Sequence, residues 1–342
     1  MSRSRKQWVS LALGTAVTVV LLAWVLQGVS WGAVWQTLGR SHGEWFAVGW
    51  VAYLGCIGMR AWRWGNILQA QGYRSTFRTR LTANFIGFGT SSVLPSYLGE
   101  LIRASVLYRK SGVPLEATLG SIVAERMLDI LAVLFFLGLP LALHVVPAFP
   151  ELNTVAVVGL WLLLMIGWVL CIGASRDPKS TAQRVIWILN RLKLSRFCAG
   201  AQTSMVHFLQ GLGALGRPQR CFILFLETLG AWLLNGVTYW TGLMAFQEHG
   251  PGFLGALFIQ SGSALAIALP STPGYIGPFE ASLRVLLGLY RIPADVVLSY
   301  ALALRLIMYV TIPIIAGLLI LRLGLEHKFT GIINPQKTPS KY

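Results

Sequence analysis

Hydrophobic and polar positions fall into long apolar runs separated by polar breaks, alternate ones basic, and the run lengths set the predicted elements. The run from Trp8 to Leu26 covers 19 residues. As a helix it is about 28 Å long, close to the hydrocarbon thickness of a bilayer. Arg3, Arg5 and Lys6 precede it in the manner of a signal peptide. It is too long for a usual signal core and no A-x-A cleavage pattern follows, so it reads as a retained first span. A second span runs from about Trp45 to Met59 and ends on Arg60 and Arg63, before a basic loop with Arg74, Arg78 and Arg80. The next run, Leu81 to Leu94, has 14 residues and stops at Pro95. That length predicts half of a re-entrant hairpin, returning over about Leu98 to Tyr108. Spans are predicted from about Ala117 to Leu143, Leu152 to Ala174, Cys221 to Phe246 and Val296 to Leu321, the last interrupted by Arg305. A second hairpin is predicted where Phe253 to Leu269 halts at Pro270 and the loop PSTPGYIGPFE (270–280) leads to a short apolar piece ending at Tyr290. Within 176–220, apolar Val185, Ile186, Ile188, Leu189 and Leu192 alternate with Arg184, Arg191 and Lys193, the pattern of an interfacial amphipathic helix. The polar tail 327–342, with Pro335 and Pro339, reads as disordered.

Composition agrees with a polytopic membrane protein. Of 342 residues 55% are hydrophobic and only 12% charged, about half the charged fraction of a soluble domain. The net charge of +16 would suggest nucleic acid in a soluble protein. Here the basic residues collect in alternate connections, so no nucleic-acid partner is expected. Lys plus Arg number three before the first span, five in 60–80, eight in 176–220 and four from Arg322 onward, against one in 27–44 and none in 144–151 or 247–252. This predicts six crossings with both termini cytoplasmic, provided that 81–108 and 253–291 return to their own side. Cys56, Cys171, Cys198 and Cys221 form no CxxC pair, and the five histidines are scattered. Neither a disulfide framework nor a metal site is expected, and no cofactor.

The two hairpin regions can be superposed. Leu94-Pro95 matches Leu269-Pro270, Glu100 matches Glu280, Pro114 matches Pro293, Glu116 matches Asp295 and Arg126 matches Arg305. Glu100 precedes Arg126 by 26 residues and Glu280 precedes Arg305 by 25. One hairpin would enter from the cytoplasmic side and the other from outside. The fold class predicted is therefore all-α, six transmembrane helices plus two re-entrant hairpins in an inverted-topology repeat (81–129 and 253–308) within a membrane domain 1–326.

Ionisable side chains inside membrane segments are costly and mark function or internal pairing. They gather in the two repeats: Glu100, Arg103, Glu125, Arg126 and Asp129, then Glu280, Arg284 and Arg305. A headgroup pocket and an internal ion-pair network are both compatible with this cluster. Arginine suits a phosphate or carboxylate because its fork can engage two oxygens. Pro95, Gly99, Pro273, Gly274, Gly277 and Pro278 break helix where broken backbone is tolerable only around a cavity or inside protein. Asn84 is expected to make a helix–helix hydrogen bond or to line the same cavity, and Glu227 to hold a structural hydrogen bond. No nucleophile–base constellation, P-loop or dinucleotide fingerprint is present, so no enzymatic step is expected.

The stretch from Asn84 through LPSYLGELIRASVLYRKSG to Glu125-Arg126 and Asp129, with LPSTPGYIGPFEASL and Arg305, resembles the lysylphosphatidylglycerol synthase transmembrane family. The matching signatures are PxxxGE…R…G…ER…D and PGxxGxFE…R. The resemblance implies a flippase-like lipid translocase of a bacterial inner membrane, here a stand-alone member without the synthase domain. The cargo that the resemblance implies is a polar or anionic headgroup, such as that of a phospholipid, polyprenyl-phosphate-linked or hopanoid-type lipid. Glu100, Arg103, Arg126, Asp129, Glu280 and Arg305 are the expected headgroup residues, with Asn84, Pro95, Gly99, Glu125, Pro273, Gly274 and Gly277 around the cavity. Membrane lipids are the expected partners, with lipid-modifying enzymes or further copies of the chain. Two rivals stand beside this: a membrane-embedded transferase acting on a polyprenyl-phosphate, and a non-transporting scaffold for a lipid-modifying complex.

Overall fold

A computed structural model describes residues 18–94, 96–147, 157–166, 217–268 and 273–323, together with positions 155, 169 and 173. Residues 1–17, Pro95, most of 148–176, the amphipathic region up to 216 and the tail lie outside the described residues. All regular structure among the described residues is helical.

The first span reaches α1 (Thr18–Leu26) and then bends by 77° into α2 (Trp31–Gly39), a segment expected to be a plain connection. Helix forms there because Ser30 caps it, its hydroxyl accepting from the Ala33 N–H at 3.4 Å. Val25 and Val34 of this bent pair bury against Ala281 and Leu298.

Helix α3 spans Gly43–Ala70 and corrects the expected end of the second span. Arg60 and Arg63 do not end the helix: they point inward to carboxylates on a later helix, so charge does not terminate the run. Arg78 and Arg80 likewise belong to the first turn of α4 (Phe77–Val93), not to a loop. Arg80 folds back, donating to the Ala61 carbonyl at 2.9 Å. Of the five basic residues counted in 60–80, only Arg74 lies in the connection itself.

Helices α4 and α5 (Ser96–Ser111) form the first hairpin. Gly87 faces Arg103 and Gly99 faces Ser91, so the two run antiparallel. Their approach requires glycine: a Cβ on Gly99 would lie 1.9 Å from Ser91 Oγ and 2.6 Å from the Gly87 carbonyl oxygen. Helix α6 (Leu115–Ala142) starts after Pro114 with Glu116 in its first turn. A short stretch, α7 (Val157–Ile166), is the described part of the fourth predicted span.

Helix α8 (Pro218–Ala245) packs along α3 through small residues, with Thr238 Oγ1 donating to the Gly49 carbonyl at 3.0 Å. The second hairpin joins α9 (Gly252–Ile267) to α10 (Pro278–Gly288). Ser282 meets Ser263 at 3.1 Å, and Gly262 faces Leu286. Helix α11 (Ala294–Arg305) begins after Pro293 with Asp295 in its first turn. It runs through a π segment, Leu306–Val310, into α12 (Thr311–Arg322). Among the described residues, α8 and the continuous Ala294–Arg322 are long and apolar enough to cross a membrane, and the bent α1–α2 pair is a third candidate.

Candidate functional site

The ionisable side chains of α3, α5 and α6 converge on one cluster. Asp129 on α6 accepts from Arg63 at 2.9 Å, from Arg60 at 3.2 Å and from Trp232 Nε1 on α8 at 3.2 Å. Glu125, one turn earlier, pairs with Arg103 at 2.6 Å and with Arg63 at 3.6 Å. Arg103 stacks over the Trp64 ring at 3.8 Å, and Arg63 also donates to Thr228 at 2.8 Å. Arg126 pairs with Glu100 across the α5–α6 interface and lies 3.6 Å from Asp129. The i,i+3 and i,i+4 spacing of Glu125, Arg126 and Asp129 on α6 aims their charges at two neighbouring helices at once.

These residues are unequal in access. Arg63, Arg103 and Glu125 are buried, whereas the Arg126 side chain is 46% exposed and Glu100 25%. The exposed edge faces a cavity of about 460 Å³. Arg60, Arg126 and Asp129 form its charged wall. Trp232, Asn235 and Gln260 form a polar-aromatic wall from α8 and α9, and Tyr53, Tyr239, Tyr275 and Tyr309 add a tyrosine wall. Gln260 donates its amide N–H to the Trp232 carbonyl at 2.8 Å.

The second Glu–Arg pair stands behind the tyrosine wall. Arg305 Nε donates to Glu280 at 2.5 Å, and its terminal nitrogens donate to the carbonyls of Gly274 at 2.8 Å and Tyr275 at 3.4 Å. Glu280 also accepts from the Gly277 N–H at 2.8 Å, capping α10. Gly274 and Gly277 have φ of +76° and +97°, which the turn between Pro273 and Pro278 requires. The π segment sets Tyr309 one turn beyond Arg305, where its ring meets Tyr275 at 5.9 Å and Phe279 at 5.5 Å. Wide turns of this kind recur at functional sites.

Of the expected headgroup residues, Arg126 and Asp129 line the cavity. Glu100 braces Arg126, and Arg103 and Glu125 lie in the buried part of the network. Arg305 and Glu280 hold the loop that presents Tyr275. Gly99 serves the α4–α5 contact. Among the described residues the amide atoms of Asn84 are buried with no hydrogen-bond partner, and Asn84 is not among the residues lining this cavity. Glu227 has the expected structural role, accepting from Asn66 at 2.5 Å. Sequence reasoning missed Arg60 and Arg63. Their i,i+3 spacing inside a run that stays helical to Ala70 was the available signal. It also missed the four cavity tyrosines, which resemble ordinary packing residues in apolar spans. Among the described residues no three His, Cys, Asp or Glu side chains converge to hold a metal.

Comparison with curated proteins finds similarity to "Glycosyltransferase AglD" of Haloferax volcanii, 24% identical over 307 residues, covering 81% of this chain and 48% of the relative. The chain thus spans about half the length of that curated relative. No solved structure matches. The family model described as "Lysylphosphatidylglycerol synthase TM region" matches residues 8–317, a stretch that contains both hairpins, both Glu–Arg pairs and every wall of the cavity, and the chain therefore belongs to that family of membrane proteins.

Proposed function

We propose that this protein is a lipid translocase that passes a polar or anionic headgroup through the cavity while the tails stay in the bilayer. The observation that carries the reading is the composition of the cavity. A charged wall of Arg60, Arg126 and Asp129 from α3 and α6 faces tyrosines presented by the second hairpin and the π segment. A guanidinium in a partly dry cavity attracts an anionic oxygen far more strongly than one in water. The parallel placement of Glu100–Arg126 and Glu280–Arg305, each after a hairpin and each followed through a proline-led helix, supports an inverted repeat with the cavity where its halves meet. In this reading the protein sits in a bacterial inner membrane with both termini cytoplasmic, and the hairpins return to their own sides.

The test is reconstitution of the purified chain into vesicles carrying tail-labelled phosphatidylglycerol or phosphatidylcholine, with a membrane-impermeant quencher outside. Protein-dependent quenching beyond the outer leaflet supports translocation. Arg126→Gln should slow it at least about tenfold by removing the accessible cation. Rates equal to protein-free vesicles with every lipid would overturn the reading.

One finding favours a second reading, a transferase acting on a lipid-linked phosphate: the similar archaeal protein carries the name of a glycosyltransferase. Conversion of a polyprenyl-phosphate plus sugar donor to a new covalent species by the purified chain would support it.

A further inference from the structure

The cavity's charges and its open hydrogen-bonding atoms specify a headgroup more narrowly than "polar or anionic". Two arginines and one carboxylate face the cavity, an excess of one positive charge. Behind them, Arg63 and Arg103 are balanced by Glu100 and Glu125, so the excess belongs to the cavity wall itself. Glu227 is bound to Asn66 and interacts with Arg63, and neither Glu227 nor Arg63 lines the cavity, so it does not change the count at the cavity face. The second Glu–Arg pair is internally neutral.

On the wall beside Trp232, Gln260 Oε1 and Asn235 Oδ1 are buried atoms with no hydrogen-bond partner among the described residues. Gln260 is 1% exposed, and its amide nitrogen is already committed to the Trp232 carbonyl. Its oxygen is therefore oriented as an acceptor. A buried acceptor left unmatched is costly, so this wall suits a ligand that brings hydroxyl donors. The tyrosine and tryptophan rings beside it offer flat apolar faces with polar edges, suited to the carbon skeleton of a polyol.

We infer that the cavity is built for a monoanionic phosphodiester headgroup bearing free hydroxyl groups, a glycerol or a sugar, and that it disfavours headgroups with a net positive charge. The phosphodiester meets Arg60 and Arg126, and the hydroxyls donate to Gln260 and Asn235. A lysyl-esterified headgroup would bring extra ammonium groups to a cavity that already holds an excess cation. This inference rests on the headgroup reading of the same cavity, and its test is binding rather than transport.

The full chain in mild detergent is exposed to equimolar lipid mixtures with matched tails, and retained lipid is identified by native mass spectrometry. Phosphatidylglycerol should be retained about tenfold over lysylphosphatidylglycerol and over phosphatidylcholine. It should also exceed phosphatidylmethanol, which keeps the single charge but has no hydroxyl. Arg126→Gln should erase the charge preference while leaving the preference over phosphatidylmethanol. Gln260→Leu should narrow the hydroxyl preference alone, and Asn235→Leu is the second variant should the first not fold. Preference for phosphatidylinositol over phosphatidylglycerol would assign a sugar-like ring, and the reverse a glycerol. Equal retention of phosphatidylglycerol and lysylphosphatidylglycerol, or of phosphatidylglycerol and phosphatidylmethanol, overturns the inference even if vesicles show translocation. Selective retention without translocation would uphold it and overturn the translocase reading instead.

Discussion

Replacing Gly99 by alanine tests whether the first hairpin closes as described. The new Cβ would lie 1.9 Å from Ser91 Oγ, 2.6 Å from the Gly87 carbonyl oxygen and 2.8 Å from the Ser91 nitrogen. The hydroxyl can rotate away, but the other two atoms are backbone. Restoring an ordinary 3.4 Å contact to the Gly87 oxygen requires α4 and α5 to part by about 0.8 Å. Overpacking of this kind costs ~1–3 kcal/mol, and a clash with backbone places this site at the upper end. Glu100 is the next residue, so the displacement also loosens its pair with Arg126. Gly58→Ala is the matched control: Gly58 lies inside α3 with nothing within 4 Å of the added Cβ. It should be neutral or gain up to about 1 kcal/mol from helix propensity. Tryptophan fluorescence during thermal unfolding in mild detergent reads both variants. Gly99→Ala unfolding at the wild-type temperature would refute the close antiparallel packing of α4 and α5.

Three further outcomes are expected. Asp129→Ala leaves buried Arg63, and Arg60 on the cavity wall, without their shared carboxylate, a loss of roughly 3–5 kcal/mol, seen as a collapse of monodisperse protein on size-exclusion chromatography. Arg284 donates to the carbonyls of Trp24, Val25 and Gln27 at the end of α1. Arg284→Gln should free that helix end, so that a thiol introduced as Val25→Cys, at a site only 2% exposed, reacts faster than in the parent background. For orientation, a reagent confined to the outer face of intact cells should modify Gly250→Cys and leave Arg74→Cys untouched, and the reverse pattern would invert the topology.

What the sequence made legible followed strong local signals. Leu94-Pro95 and Leu269-Pro270 mark both hairpins because proline stops a helix, and α4 and α9 end close to them. The spacing of Glu100 to Arg126 and of Glu280 to Arg305 aligned the two hairpin regions, and the structure pairs each glutamate with its arginine, which the spacing alone did not foretell. Arg60 and Arg63 were misplaced because charge at the end of an apolar run ordinarily means the membrane surface. Only the partner on α6 reveals that they turn inward. Helix α2 was hidden because nine residues carry little periodic signal. The π segment was hidden because a shift in hydrogen-bond register leaves no mark in composition. The division of labour between Arg126 at the cavity and Arg305 behind the tyrosines depends on which neighbours occupy each guanidinium, which equivalent positions in a repeat do not fix.

The central claim is that headgroup passage depends on both repeat arginines, one facing the cavity and one holding the loop that walls it. Lysine keeps each charge but lacks the fork by which Arg305 engages Glu280, Gly274 and Tyr275 together, and by which Arg126 reaches from Glu100 toward Asp129. The most direct measurement is the rate of lipid translocation by the double variant Arg126→Lys/Arg305→Lys in proteoliposomes, at matched reconstitution and with folding checked by thermal unfolding. The account predicts folded protein that has lost most translocation. Folded protein translocating at near wild-type rate would contradict it, leaving the two arginines as members of a structural ion-pair network.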